Sequence, residues 1–432
     1  MPQYNDLPFA LVLLVVFAGL GVGLLTLTRL HRASLPQQLK LFLAALGVRF
    51  LASVAIYEFG LVQVLGDEDS SGWTAGIVQM QQWTQRHLGW LDLPEALAQA
   101  FYQQQQGYRY LLGTFFYLTD APARMPAATL NCFFGALTVV MTYRIAESLF
   151  SRWVAVRVGW AACLFPSLVI WSAQTVKEPV VILLEVVALY ACVQLKREGF
   201  SLRYIWLCVL AIMLLLPFRF YAAYLAATAA LLGLLIPQIG KRNSSVLAGV
   251  GIALLVIPLA ISSGILARSE ALIERFDLKY ISQYQRGISV GQKSGVTLGY
   301  DLQTTSGLAL GILVGGAHLL LAPFPWQLGG ASVRMVLVLP ELLVWWWLFF
   351  FGVVPGVWLA VRRRFGELQA LFIFSGGLGL LYSLLFGNIG LAVRQRAQLL
   401  PLLLIFAMVG LEWRLQKAKQ RQAAQPQIVV SA

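Results

Sequence analysis

Apolar runs set the plan of this chain. Stretches long enough to cross a bilayer core as helices, about 17–25 residues, fall near 8–30, 40–64, 126–148, 153–175, 180–195, 203–217, 220–237, 245–264, 335–361, 367–386 and 396–412. One further run, 306–322, ends in Pro323-Phe324-Pro325-Trp326. If it spanned, every later loop would change sides, and Arg362-Arg363-Arg364 would face outward, against the bias that keeps Lys and Arg inside. It is therefore expected to re-enter, near 306–326, from the outer face. Such backbone survives at membrane depth only when packed in protein or lining a cavity. The pattern predicts an all-α polytopic membrane protein with eleven transmembrane helices, N-terminus outside and C-terminus inside. A single membrane domain is expected over 1–421 and a disordered cytoplasmic tail over 422–432.

The connections are unequal. Inner loops are short and basic: 31–40, 152–157, 196–203, 241–242 and 362–364. Two outer loops are long, about 65–125 and 265–334, so the chemistry is expected at the outer face. In the first of them, Trp73, Ile77, Met80 and Trp83 recur at helical spacing, as in a helix lying flat at headgroup level. A second short aromatic helix is expected from Gly107-Tyr108-Arg109-Tyr110 onward, flanked by Arg109 and Arg124, with Gln103 to Gln106 capping a surface helix before it. The second loop opens amphipathic, over 265–278, and turns polar and Gly-rich over 285–295. That composition suits a mobile lid or a plain connector.

Composition narrows the class. The chain has 432 residues, 59% hydrophobic and 12% charged, with mean hydropathy +0.74. Soluble domains carry about 25% charged residues, so a soluble enzyme, a disordered chain and a coiled coil are excluded. The net charge of +13 first suggests nucleic acid. Divided by side, however, the outer segments hold 13 basic and 13 acidic residues, and the inner ones 18 basic against four acidic. The excess is thus a topology signal and no nucleic-acid partner is implied. The first run is too long for a signal peptide and lacks a cleavage site. Cys132, Cys163, Cys192 and Cys208 lie in apolar runs, where thiols act as small hydrophobes. Neither a disulfide nor a Cys/His metal cluster is expected.

Two sets of polar residues carry candidate chemistry. The first is the triplet Asp67-Glu68-Asp69, where the second apolar run ends. It is either a solvated helix end or the seat of a general base, since neighbours can tune a carboxylate for proton transfer. The second comprises outer cations: Lys177, Arg219, Arg394 and Arg396, with Arg109 in the first loop. Each alone reads as a snorkelling anchor. Converging on one mouth they make a phosphate clamp, for which Arg suits bidentate pairing. Arg394 and Arg396 lead this set. Arg49, Glu58, Tyr143, Arg144 and Glu147 read as structural. Glu185 does too, although an intramembrane acid is by default a functional hypothesis. His318 is either a hydrogen-bonded core residue or part of a groove.

The segment PARMPAATLNCFFGALTVVMTYRIAESLF, followed by AACLFPSLVIWSAQTVKEP, together with the acidic residues after an early helix, resembles the type C membrane glycosyltransferases, closest to the protein O-mannosyltransferase and aminoarabinose-transferase group. The resemblance covers roughly residues 50–200, and the rest in topology. It implies an enzyme that takes a sugar from a polyprenyl-phosphate donor at the outer face of the cell membrane. The sugar passes, with inversion, to the hydroxyl of a glycan, lipid or protein acceptor. The family's base maps to Asp67 or Glu68, with Asp67 favoured and Asp69 as a metal or acceptor contact. Some branches use a divalent cation, magnesium or manganese, which Asp67 and Asp69 would hold. Trp73, Tyr108, Tyr110, Trp326 and His318 are expected to line an acceptor or lipid groove. The sequence departs from the family in its extra first helix (8–30), in Trp73 standing as the nearest match for a displaced aromatic, and in lacking a soluble C-terminal domain.

Two other functions compete. A polysaccharide polymerase or ligase of the O-antigen kind shares the paired outer arginines, but depends more on Arg and His in the late loop than on an early acidic triplet. A flippase for a lipid-linked sugar would carry inverted repeats and broken helices with midplane charges, and no repeat is evident.

Overall fold

The computed structural model describes residues 6–28, 32–62, 68–103, 105–236, 244–262, 278–290, 294–296, 299–330 and 339–424. The side chains of residues 32, 68–71, 102, 244–245, 257–262, 328–330 and 424 lie outside that description. In chain order the helices are α1 (Leu7–Leu27), α2 (Leu35–Glu58), α3 (Glu68–Gln85), α4 (Leu93–Tyr102), α5 (Gly107–Thr119), α6 (Arg124–Leu149), α7 (Arg152–Leu164), α8 (Pro166–Ser172), α9 (Glu178–Glu198), α10 (Leu202–Leu235), α11 (Ser244–Ser262), α12 (Leu278–Ser289), α13 (Thr305–Leu321), α14 (Leu339–Leu348), α15 (Val354–Leu384) and α16 (Ile389–Ala424). A single turn of π-helix, Phe349–Val353, joins α14 to α15. The only extended pairing among the described residues is an isolated bridge between Gly295 and Asn388.

Seven described helical segments are long and apolar enough to cross a membrane, or eight if the bent pair α7–α8 is one span. The 53° bend of that pair has a local cause. Pro166 has no N–H to give the carbonyl of Ala162, and it pushes Phe165 into extended backbone (φ −64, ψ 116). The carbonyls left over face the interior. Arg49 of α2, 1% exposed, donates to Ala162 O and Cys163 O at 3.1 Å each and to Ala45 O at 3.3 Å. The expected span 153–175 is therefore two helices stapled by an arginine from a neighbour.

Two of the seven segments are hairpins. A straight α10 would be about 50 Å long. Yet the ammonium of Lys196, at the end of α9, donates to Gly233 O and Ile236 O at 2.7 and 2.6 Å, while Glu178, at the start of α9, meets Arg219 at 3.1 Å. Both contacts require α10 to run along α9, reverse and return. The reversal is at Arg219 (φ −157, ψ 79), two residues after Pro217. Lys196 thereby caps the carbonyls at the end of the returning helix. In the same way Gly356 backs onto the carbonyl of Phe406 while Phe372 stacks on the Phe406 ring at 5.3 Å, so α15 folds back at Arg364 (φ −140, ψ 20). Counting both arms of each hairpin, and the bent pair as one span, the described residues offer ten candidate crossings, and α11 carries a shorter apolar stretch, Val246–Val256, where the apolar pattern predicts another. The bundle has a basic end, bearing the loops near 152, 197, 203 and 364, and a loop end, bearing the long connections.

The loop end is roofed by α3, α4 and α5. The aromatic face of α3 is spent on protein more than on headgroups. Trp73, Ile77 and Met80 pack on the main core, and Trp83, 3% exposed, closes a small cluster with Ala96, Ala100 and Tyr110. Helix α13 enters and leaves on this same side. Val296 N donates to Gly387 O beyond the end of α15, and Trp345 and Trp346 donate to Leu320 O and Leu321 O. The stretch from Val296 to Leu302, which packs on Gly311, reaches about 20 Å at most, too short to carry the chain across a core about 30 Å thick. The amphipathic stretch 265–277 lies outside the described residues. The Gly-rich stretch after α12 is tethered rather than free where described. Ser294 Oγ donates to Asn388 Oδ1 at 2.9 Å, and Ile389 N donates to Ser294 O at 2.9 Å.

Candidate active site at the loop end

A cavity of about 450 Å³ opens under the roof. Five elements and one turn supply its walls. Gly72 and Ala75 come from the first turns of α3, and Tyr108 and Arg109 from the start of α5 after Gln105 and Gln106. Thr175 to Lys177 form the turn before α9, Arg219 and Tyr221 the tip of α10. Tyr284 comes from α12, and Arg394 and Gln395 from the second turn of α16. Four cations from four separate parts of the chain share this space.

The turn 174–177 is fixed by α6. Asn131 Nδ2 donates to Gln174 O (2.6 Å), to Val176 O (2.8 Å) and to the Tyr108 hydroxyl (2.9 Å). Helix α3 rests directly on this turn. A side chain at position 72 would run into the Thr175 carbonyl, so only glycine permits the approach. Trp73 then faces away from the cavity, donating to Pro122 O at 2.9 Å with the Arg124 guanidinium 4.7 Å above its ring.

Glu178 organises the cations. It is fully buried in the first turn of α9, where the helix terminus favours a carboxylate. Arg394 grips it bidentately, Nε to Oε1 and Nη2 to Oε2, both at 2.8 Å, and Arg219 Nη2 reaches Oε1 at 3.1 Å. Arg219 also donates to the Tyr382 hydroxyl (2.8 Å), which donates to Gln398 Oε1 (2.9 Å). Tyr221 and Trp171 offer ring faces to Arg219 and Arg394 at 5.7 and 5.6 Å. One carboxylate thus holds two guanidiniums at the floor, with Lys177 and Arg109 on the walls. Lys177 Nζ donates to Gln105 Oε1 at 3.1 Å, and Arg109 Nη2 to Gln82 Oε1 at 2.9 Å. Burial, and then the charges of Arg219 and Arg394 against the opposing pull of Glu178, push the Lys177 ammonium down to about 8. The lining is strongly electropositive and suited to an anion with several oxygens. Two turns below Glu178, Glu185 is buried, and neither of its oxygens has a hydrogen-bond partner among the described residues.

The expected site residues divide. Arg394, Arg219, Lys177, Arg109 and Tyr108 come together in the cavity. Arg396 does not line it, because residues two apart on a helix face different ways. It donates to Ala322 O (2.9 Å) and Leu320 O (3.3 Å) and lies over Trp345, so it anchors α13 and is not the partner of Arg394 in a clamp. His318 stacks on Phe386 at 4.4 Å. Its Nδ1 donates to Val314 O at 2.8 Å, because a carbonyl only accepts, and its Nε2 meets Gln327 Nε2 at 2.9 Å. It is a core residue. Tyr110 is buried against Trp83, and Trp326 is exposed and stacked on Phe324. Neither these nor Trp73 is among the lining residues. Asp67 lies outside the described residues, as do the side chains of Glu68 and Asp69. Helix α3 itself begins at Glu68, one turn before Gly72. Among the described residues no three His, Cys, Asp or Glu side chains gather as metal ligands. The sequence reading assigned no site role to Asn131, Tyr221, Tyr284, Glu178 or Tyr382, and it placed the Gln105-Gln106 pair at a surface cap.

No protein-family model matches the chain, and no curated protein matches it. Several solved structures resemble it, among them two of an archaeal oligosaccharyltransferase. One is the apo oligosaccharyltransferase of Archaeoglobus fulgidus, with 14% identity and a TM-score of 0.49 over 88% of this chain and 51% of that one. The other is the oligosaccharyltransferase AglB of Archaeoglobus fulgidus in complex with an inhibitory peptide and a dolichol-phosphate, with 14% identity and a TM-score of 0.48 over the same shares. The chain spans about half the length of these proteins.

Proposed function

We propose that the protein is a membrane glycosyltransferase that moves a sugar from a polyprenyl-phosphate-linked donor to an acceptor hydroxyl in the loop-end cavity. The observation that carries this reading is the convergence of Arg394, Arg219, Lys177 and Arg109 on one cavity, walled in part by the first turns of α3, the helix that begins at Glu68. The resemblance over residues 50–200 supplies the reaction class. The short basic connections at the opposite end support an outward-facing cavity by the positive-inside bias.

The chemistry balances on these groups. The acceptor oxygen attacks the anomeric carbon from the face opposite the phosphate, which inverts the centre. The carbon–oxygen bond to phosphate breaks and its electron pair leaves with the phosphate. The acceptor proton passes to a carboxylate of the triplet, Asp67 in first place and Glu68 in second. Arg394, Arg219, Lys177 and Arg109 meet the charge that grows on the departing phosphate, in a site where fixed donors need no rearrangement. Tyr108 shapes the wall on the acceptor side. A divalent cation, where one serves, would rest on Asp67 and Asp69 and add positive charge there.

The test is turnover. The purified protein is supplied with a panel of polyprenyl-phosphate sugars, and released polyprenyl phosphate is measured for wild type, Asp67→Asn and Glu68→Gln. Loss of about 100-fold or more in one carboxamide variant is expected, the usual worth of a positioned base. Full activity in both variants would remove the triplet from catalysis. Failure of the wild type on every donor would favour a polymerase or a flippase.

A further inference from the structure

The opposite end of the bundle carries a second polar cavity, of about 590 Å³. Three span ends meet around it: Glu147 to Leu149 and Phe150 at the end of α6, Arg197 at the end of α9, and the turn of the α15 hairpin from Arg363 to Glu367. We propose that this cavity binds the phosphate headgroup of an anionic phospholipid. The proposal is independent of the glycosyltransferase reading, since it concerns the other end of the bundle.

The charges of the lining are not equally occupied. Arg364 forms the wall: it donates to Leu149 O, lies 5.5 Å over the Phe150 ring and stands 3.8 Å from Glu367. Glu147 is also engaged, accepting from Ser34 Oγ (2.9 Å) and from the Tyr143 hydroxyl (2.8 Å). Arg197 and Arg363 make no hydrogen bond or ion pair among the described residues, and both side chains are exposed. Among the described residues they are two unmatched guanidiniums at the mouth of a polar hollow, and guanidiniums pair with phosphate oxygens through two parallel bonds.

The surroundings favour a lipid over a free ion. The hollow lies where three spans end, which is headgroup depth for a bundle of this kind. Exposed apolar side chains run from the same turn along the outside of α15: Trp358, Val361 and Phe365. A diacyl lipid can set its phosphate between Arg197 and Arg363 and lay its chains on this strip. Basic hollows between span ends are where anionic headgroups are held in other membrane proteins.

The test uses the full chain in neutral phosphatidylcholine nanodiscs. Melting temperature and lipid retention in native mass spectrometry are followed while phosphatidylglycerol replaces a growing share of the bilayer. Inorganic phosphate is titrated in a parallel arm. A rise in melting temperature with phosphatidylglycerol is expected, with retained lipid molecules, and no rise with inorganic phosphate. In Arg197→Gln/Arg363→Gln the phosphatidylglycerol midpoint should shift at least tenfold, while Lys417→Gln/Lys419→Gln on the exposed tail helix should leave it in place. Equal response in the first double variant and wild type would overturn the proposal, because attraction would then be diffuse. A response to inorganic phosphate alone, or to neither, would overturn it as well.

Discussion

Glu178 is the residue on which the loop-end site depends. Its carboxylate is buried and neutralises two guanidiniums that reach it from the α10 reversal and from α16. Removing one partner of a buried ion pair leaves an uncompensated charge and costs about 3–5 kcal/mol. Glu178→Ala is therefore expected to lower the melting temperature sharply, and Glu178→Gln to do so less, since the amide oxygen still accepts. Equal melting temperatures for wild type and Glu178→Ala would show that the two arginines do not rely on it. Lys177 carries the pH dependence. With its ammonium pushed down to about 8, the site holds this charge below pH 8 and loses it above. Phosphate affinity should weaken as pH rises through about 8, and Lys177→Arg should flatten the profile, because Arg stays charged. The charges at this scale were legible in the sequence, but their pairing was not. Arg394 and Arg396 look alike in a string, and only helical phase sends one to the cavity and the other to the carbonyls before Pro323.

At the scale of elements, the junction between α7 and α8 is the clearest case of sequence dictating structure through a missing atom. Pro166 withholds one N–H, and Arg49 supplies donors for the carbonyls left open. Arg49→Met should destabilise by about 2–6 kcal/mol, the cost of two buried unsatisfied carbonyls. Pro166→Ala should recover part of that loss in the double variant by giving Ala162 O an N–H. Additive losses, seen by chemical or thermal unfolding, would contradict the account. The proline was visible in the sequence, while its consequence needed the contact with α2, more than a hundred residues away. The roof shows the same limit. The helical spacing of Trp73, Ile77, Met80 and Trp83 marks an amphipathic helix, but spacing alone cannot tell a lipid-facing stripe from one covered by α5.

Across the whole molecule, hydropathy was the strongest signal. The apolar runs became long helices, because in lipid every backbone polar group must be satisfied within the segment. The unequal connections direct attention to the loop end, where the cation-lined cavity opens. What hydropathy cannot give is which loop residues meet. Gln105 and Gln106, Tyr221 and Tyr284 come from stretches with no shared pattern, and they reach one cavity only through packing. The central claim is that this cavity holds the phosphate of a lipid-linked sugar. Calorimetric titration of a short-chain polyprenyl phosphate into the purified protein, with Arg394→Ala beside wild type, tests it most directly. A single saturable site is predicted for wild type, weakened about 10- to 100-fold in the variant, as befits a lost charge-assisted contact of about 1.5–3 kcal/mol. Equal affinity in both proteins, or no binding to wild type, would contradict the account.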